Sequence, residues 1–288
     1  MDRCQQIERS ISKKYRKSIW NRFVGGIKDY GMINAGDKIA VCISGGKDSM
    51  LLAKCLQMLQ KYSDVPFELV FLAMDPGYRE ENARKVAENA ALLQIPLTSF
   101  STRIFEVVGE SAKSPCYLCA RMRRGCLYHR AQELGCNKIA LGHHFDDVIE
   151  TTLMSMLYGA EMRTMMPKLH SAHYHGMELI RPLYLVHEAD IIAWARYNEL
   201  SFIRCACRVS EQNEAAGTEG SKRQVVKKLI AQLRRENSNV DSNIFHSAEC
   251  VNLETVLGWR DSNGEHSFLD DYDQYYENNQ ADSGEAED

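Results

Sequence analysis

The chain lacks any apolar run approaching the roughly 18 residues that a membrane-spanning helix requires, so no membrane partner is expected. Near its start there is no continuous apolar core of the kind that marks a secretory signal. Asp2 and Glu8 do not suit an acid-poor transit peptide. The ten cysteines follow none of the spacings of small disulfide scaffolds, and a chain of 288 residues does not need such staples. No internal repeat is present. Residues 261–288 contain no lysine or arginine at all, against ten Asp/Glu. These exclusions leave a cytoplasmic body the size of one large domain, or of one domain with an appendage.

Hydrophobic residues at 44% and charged residues at 26% are ordinary for a globular chain able to bury a core. The net charge of -4 conceals a split. Taking the tail's ten acids from the total of 39 leaves 29 against 35 Lys/Arg in residues 1–260, a net +6. The body is mildly basic, and the tail (261–288, ending DYDQYYENNQADSGEAED) is polar, acidic and expected to be disordered.

Along the chain, Ile7, Ile11, Tyr15, Ile19, Phe23 and Ile27 recur every four residues, with Lys13, Lys14, Arg16, Lys17 and Arg22 between them. That spacing predicts a basic amphipathic helix over 7–28 within an N-terminal arm, 1–35. Strands are expected at 39–43, 67–74, 97–100, 139–141 and 179–182, and helices near 50–59, 80–93, 120–134, 145–157 and 187–199. Cys116 and Cys119 fall in the loop before the third of these helices. Strands alternating with helices predict right-handed crossovers and a parallel sheet covered on both faces, an α/β fold. The catalytic domain is assigned to 36–208. A linker at 210–220 leads to a basic helix at 221–236, with a Val225/Leu229/Leu233 stripe and a capping box at Ser221 and Gln224, inside an extension at 209–260.

Ser44-Gly45-Gly46-Lys47-Asp48-Ser49 follows the first strand, where ligands of parallel sheets bind. Gly45 and Gly46 let backbone N–H groups approach an anion with no Cβ in the way. The dipole of the next helix adds positive potential, and Ser44 and Ser49 offer hydroxyls. Lys47 brings a full charge, and Asp48 can hold Mg²⁺ against phosphates. The spacing is neither that of a Walker A loop nor the G-x-G-x-x-G of dinucleotide folds. The loop is similar to the PP-loop of N-type ATP pyrophosphatases, which split ATP into AMP and pyrophosphate. Gly142-His143-His144-Phe145-Asp146-Asp147 resembles that superfamily's second nucleotide motif, which places Gly142 and His143 near the adenylate and lets the Asp pair ligate metal or orient reacting groups. Met74, at the end of the second strand, is grouped with the nucleotide-binding residues.

Cys116-x-x-Cys119 follows Pro115, and Cys205 and Cys207 supply further soft ligands. From the residues alone a Cys4 zinc site, an iron–sulfur cluster on three or four thiolates and a redox dithiol all remain open. Unliganded burial accounts for Cys42, Cys55, Cys126, Cys136 and Cys250. Taken together, the phosphate loop, Cys116-x-x-Cys119-x-Arg-x-Arg-Arg-Gly, Leu141-Gly-His-His-x-Asp-Asp and a late cysteine resemble the TtcA-type tRNA 2-thiocytidine synthetases over roughly residues 10–235. The likeness includes Lys138–Leu141, Met166–Leu169 and Ile180–Leu183.

That resemblance implies a PP-loop ATP pyrophosphatase (adenine nucleotide alpha hydrolase-like) fold and a [4Fe–4S] cluster on Cys116, Cys119 and Cys205. This chain reads Arg204-Cys205-Ala206-Cys207 where the family has Pro-Cys-x-x-Cys. It also implies ATP, Mg²⁺ and a tRNA cytidine as reactants, with a cysteine desulfurase or sulfide as sulfur donor. In this reading the pyrimidine carbonyl is adenylated, pyrophosphate leaves, and sulfur then displaces AMP. Arg123 and Asp147 are placed between cluster and nucleotide as catalytic residues alongside Asp48. The N-terminal helix and Lys222, Arg223, Lys227, Lys228, Arg234 and Arg235 of the later basic helix are expected to contact tRNA phosphates, and a homodimer would let the basic arm reach across a partner. The rival readings are a PP-loop enzyme thiolating another nucleoside, a cluster-dependent thionucleoside desulfidase, an adenylating ligase with structural zinc, and a non-catalytic RNA-binding protein.

Overall fold

The computed structural model describes residues 1–102, 104, 115–203, 222–270 and 272. The first helical stretch joins α1 (Arg3–Arg9), two π-helical turns at Ser10–Lys14 and Arg16–Trp20, and α2 (Asn21–Asp29). The strict four-residue spacing explains the π turns. At 3.6 residues per turn, four residues overshoot a full turn by about 40°, so the stripe would wind around a regular α-helix. Wider π turns absorb that drift. All six stripe residues are buried, Ile7, Ile11, Ile19 and Phe23 completely. The stripe lies in the main core cluster, so the N-terminal segment spends its apolar face within its own chain.

The central sheet has the order β3-β2-β1-β4-β6-β5. Its strands are β1 (Lys38–Ile43), β2 (Glu68–Asp75), β3 (Leu97–Ser101), β4 (Lys138–Ala140), β5 (Lys168–His170) and β6 (Glu178–Ile180). Five run parallel, and only the edge strand β5 pairs antiparallel. Alternation along β1 feeds both faces. Ile39, Val41 and Ile43 join the larger core with α3 (Lys47–Tyr62), while Ala40 and Cys42 pack beneath α5 (Pro115–Glu133). On the larger-core side α4 (Glu80–Leu92) and α7 (Glu188–Tyr197) complete the cover, with α6 (Phe145–Gly159) between β4 and β5. At the strand beginnings Lys138 is buried between Asp37 at 2.9 Å and Glu178 at 3.0 Å.

The basic helix forms as α8 (Lys222–Glu236), but its buried residues are Val226 and Ile230. Of the expected Val225/Leu229/Leu233 stripe, Val225 is 49% exposed and the two leucines are half-buried, and Arg223, Lys227 and Arg234 share the Val226/Ile230 face and find carboxylates there. Three of the cations expected to meet tRNA phosphates are therefore paired within the chain. Ser221 of the anticipated capping box lies outside the described residues. The elements that went unforeseen are β5, α9 (Val240–Ser247), a 3-10 turn at Leu253–Thr255 and a hairpin of β7 (Gly258–Asp261) and β8 (Gly264–Ser267). The hairpin occupies the start of the segment expected to be disordered from 261; Ser262-Asn263 makes the two-residue turn and Gly264 takes φ +140°. Residues 273–288 lie outside the described residues. Among the described residues, no helix is long and apolar enough to cross a membrane.

Candidate active site

β1 and β4 are neighbours in the sheet, although one chain excursion leads from β1 to β2 and a later one returns to β4. Their carboxyl ends form the switch point at which open α/β sheets bind ligands, and both loops singled out in the sequence emerge there. They touch. A Cβ on Gly142 would stand 3.1 Å from Asp48 C and Ser49 N, so only glycine lets the two backbones approach this closely.

In the first loop Gly45 has φ +82°, and a Cβ there would meet Val86 at 2.5 Å and Ile203 at 2.7 Å. Gly46 is the N-cap of α3 and contributes no side-chain cap, which leaves the first amides of the helix for other acceptors. The Ser44 hydroxyl donates to Ser49 Oγ at 3.1 Å, and Ser49 Oγ donates to the Gly46 carbonyl at 3.0 Å, fixing the turn from within. Lys47 Nζ lies 3.1 Å from Asp48 and 3.0 Å from Glu188. Burial works against its charge, but Asp48 and then Glu188 outweigh it and raise the ammonium pKa. Asp48 Oδ1, although 3.1 Å from that ammonium, makes no hydrogen bond.

In the second loop the adjacent acids divide. Asp147 Oδ2 accepts from the His144 backbone N–H at 3.1 Å, and Asp147 lines the cavity. Asp146 is buried and faces elsewhere: it accepts from the Glu188 backbone N–H at 2.7 Å, capping α7, and pairs with Arg234 at 2.7 Å. The expectation that both aspartates serve a metal or the reacting groups is thus corrected for Asp146, whose two oxygens are engaged by structure. The histidines divide as well. His143 lines the cavity, its Nδ1 without a hydrogen-bond partner, and burial followed by the charge of Arg181 pushes its pKa down to about 4. His144 is 3% exposed, with Nε2 3.5 Å from Asp147, 3.9 Å from Asp48 and 4.0 Å from Glu188.

A single cavity of about 370 Å³ collects Ser44, Asp48, Ser49, Met74, Arg123, Gly142, His143 and Asp147, eight of the residues anticipated from the sequence. Gly45, Gly46 and Lys47 lie on the same loop beside it. Arg123 Nη2 donates to Tyr78 Oη at 3.3 Å, and Tyr78 Oη donates to the Ser44 carbonyl at 3.3 Å, so a tyrosine that no motif flagged ties α5 to the phosphate loop. Arg121 is exposed.

The helix carrying Cys116 and Cys119 starts at Pro115, five residues earlier than expected, because proline suits the first helical position. The pair therefore lies within a helix, three residues apart, rather than in a loop. Cys119 is 8% exposed and packs with Met74, the residue that also lines the cavity. The Cys116 side chain and all of Cys205 and Cys207 lie outside the described residues. No group of three or more metal-ligating side chains occurs among the described residues.

What the arrangement offers suits a nucleotide and its cation: Asp48, with an oxygen free of hydrogen bonds, Gly142 and the neutral imidazole of His143 line one cavity, and Gly45, whose Cβ position is blocked, and Lys47 lie on the loop beside it. Sequence reasoning missed Glu188, which carries no motif, and it gave Arg223 and Lys227 to tRNA phosphates, whereas they pair with Asp147 and Glu188 at this site.

A PP-loop domain family model matches residues 7–212. The chain is 36% identical over 253 residues to the tRNA-cytidine(32) 2-sulfurtransferase of Alcanivorax borkumensis, spanning 87% of this chain and 86% of that one. It is 36% identical over 234 residues to the tRNA-cytidine(32) 2-sulfurtransferase of Geobacter sulfurreducens, spanning 80% and 88%. Its fold is similar to that of the U34-tRNA thiolase NcsA from Methanococcus maripaludis, solved with its [4Fe-4S] cluster, with a TM-score of 0.63, 20% identity and coverage of 80% of this chain and 76% of that one. The chain belongs to the PP-loop domain family and, within it, to the family of tRNA-cytidine 2-sulfurtransferases.

Proposed function

We propose that this protein replaces the C2 oxygen of a tRNA cytidine with sulfur, using ATP to activate the carbonyl. The observation that carries the reading is the single cavity joining the phosphate loop, the Gly142–Asp147 loop and Arg123, with Cys119 packed behind Met74 at its wall. Oxide is a very poor leaving group; adenylation converts it into AMP, with pyrophosphate leaving first. Gly45, Gly46, Lys47 and Ser49 hold the phosphates, and Asp48 positions Mg²⁺, so that charge developing in the transition state meets preorganised partners. Met74, Gly142 and His143 border the adenylate. Arg123 and Asp147 flank the base.

Cys116, Cys119 and Cys205 would hold a [4Fe–4S] cluster, which when bound supplies an iron able to carry sulfur as a deprotonated nucleophile. The sulfur comes from sulfide or a cysteine desulfurase, and the reaction takes place in the cytoplasm. The cytidine must leave its stack or lie in a loop to enter the cavity.

The test is pyrophosphate release and mass-spectrometric detection of 2-thiocytidine from tRNA, Mg–ATP and sulfide under anaerobic conditions. Asp48→Ala should abolish both signals. Cys119→Ala should keep ATP-dependent pyrophosphate release and lose the thiolated nucleoside. Normal thiolation by Cys119→Ala would overturn the cysteine assignment, and turnover that needs no ATP would point instead to a desulfidase. Iron and sulfide analysis with a visible spectrum separates a cluster from structural zinc.

A further inference from the structure

Beyond residue 212, where the PP-loop match ends, α8 lays two cations over the carboxylates that flank the loop lysine. Lys227 Nζ lies 3.0 Å from Glu188 Oε2 and 3.5 Å from Glu150 Oε1. Arg223 lies 3.2 Å from Asp147 Oδ1 and 3.3 Å from Glu150 Oε2. The second oxygen of Glu188 holds Lys47 at 3.0 Å. Glu188 is thus shared by two ammonium groups, one from the phosphate loop and one from the C-terminal extension. Burial opposes its charge, yet Lys47 and then Lys227 hold its carboxyl down at about 2.

Asp48 and Glu188 hold two of the three donors of Lys47, so its charge reaches a phosphate in full as it turns away from them. Glu188 would then stand beside the incoming triphosphate as an uncompensated anion, unless a second cation already held it. Counted formally, Asp48, Asp147, Glu150 and Glu188 carry four negative charges against three positive ones on Lys47, Arg223 and Lys227. Without the two α8 residues the balance changes from −1 to −3 at a site built for a polyanion. The geometry points to Lys227, supported by Arg223, as a positioning residue for the nucleotide: it neutralises Glu188 so that Lys47 is available to the phosphates. The inference rests on the ATP reading given above and adds a residue outside the PP-loop segment to that site.

Mg–ATP affinity, measured by calorimetric titration of the full-length protein, tests it without recourse to thiolation. Lys227→Ala should weaken binding about tenfold, the scale of one uncompensated charge a few ångströms from a phosphate at a half-exposed site. Lys227→Arg, which keeps the charge, should stay within about threefold of wild type. Adding Glu188→Gln to Lys227→Ala should recover most of the loss, because the anion that needed neutralising is gone; a helix acting only through packing would give no such recovery. Wild-type affinity in Lys227→Ala, or a double variant no tighter than Lys227→Ala, would overturn the proposal. A wild-type protein that binds no Mg–ATP would overturn the nucleotide reading itself, and this inference with it.

Discussion

The two histidines after Gly142 are adjacent in sequence and opposite in surroundings. His143 meets the cavity under the positive field of Arg181, while His144 sits among three carboxylates. An unfolded imidazole takes a proton near pH 6.5, but burial and Arg181 delay that of folded His143 until about pH 4. Between these values only the unfolded chain binds the extra proton, so stability falls as pH drops from 6.5 to 4, by up to about 3 kcal/mol. Glu188 acts in the same direction lower down. Its folded carboxyl titrates near 2 against an ordinary 4.5, and the stabilisation is lost as pH falls through that interval. The expected outcome is a melting temperature that declines from pH 6.5 downward, with His143→Asn flattening the portion above pH 4 and leaving the lower portion in place. A His143→Asn profile parallel to wild type over pH 4–6.5 would contradict the assignment.

The elements around the site were legible wherever a local rule governed them. Val41 and its neighbours announce β1 because a strand buried on both faces reads as a continuous apolar run, and the glycine loop after it marks the ligand-binding end. The N-terminal stripe gave a helix but not its π turns, since spacing shows which residues share a face and only hydrogen bonding shows how the backbone keeps them there. Less visible was anything decided by distant partners. Nothing local distinguishes Asp146 from Asp147, yet one caps α7 and the other faces the cavity. Asp146→Ala should accordingly destabilise the fold by about 1–3 kcal/mol, through a lost cap and an unpaired Arg234. Asp147→Asn can still accept from the His144 N–H but loses the ion pair with half-exposed Arg223, so it should cost at most about 1 kcal/mol while lowering sulfur transfer at least tenfold. Parallel denaturant titrations and thiolation rates separate the two roles. Half of the basic residues of α8 escaped the sequence for the same reason: Arg223, Lys227 and Arg234, expected at tRNA phosphates with Lys222, Lys228 and Arg235, meet acids that come from residues 146–188.

Across the whole molecule the two ends of the sheet do different work. The amino ends of the strands are closed by Lys138, 4% exposed and paired with Asp37 and Glu178 while donating to the Met32 carbonyl at 2.8 Å. Removing that ammonium would leave two buried carboxylates facing each other, so Lys138→Met should cost about 3–5 kcal/mol in urea unfolding without altering the relative rates of adenylation and sulfur transfer in the remaining folded protein. At the carboxyl ends Gly142 abuts the Asp48–Ser49 backbone so closely that a methyl group there would crowd it at 3.1 Å. On the proposed reading, the strip assigned to the phosphates and the strip assigned to the adenylate are therefore packed backbone against backbone. A bulkier residue at 142 must push these two backbones apart, and on that reading it should weaken the hold on both ends of the nucleotide together.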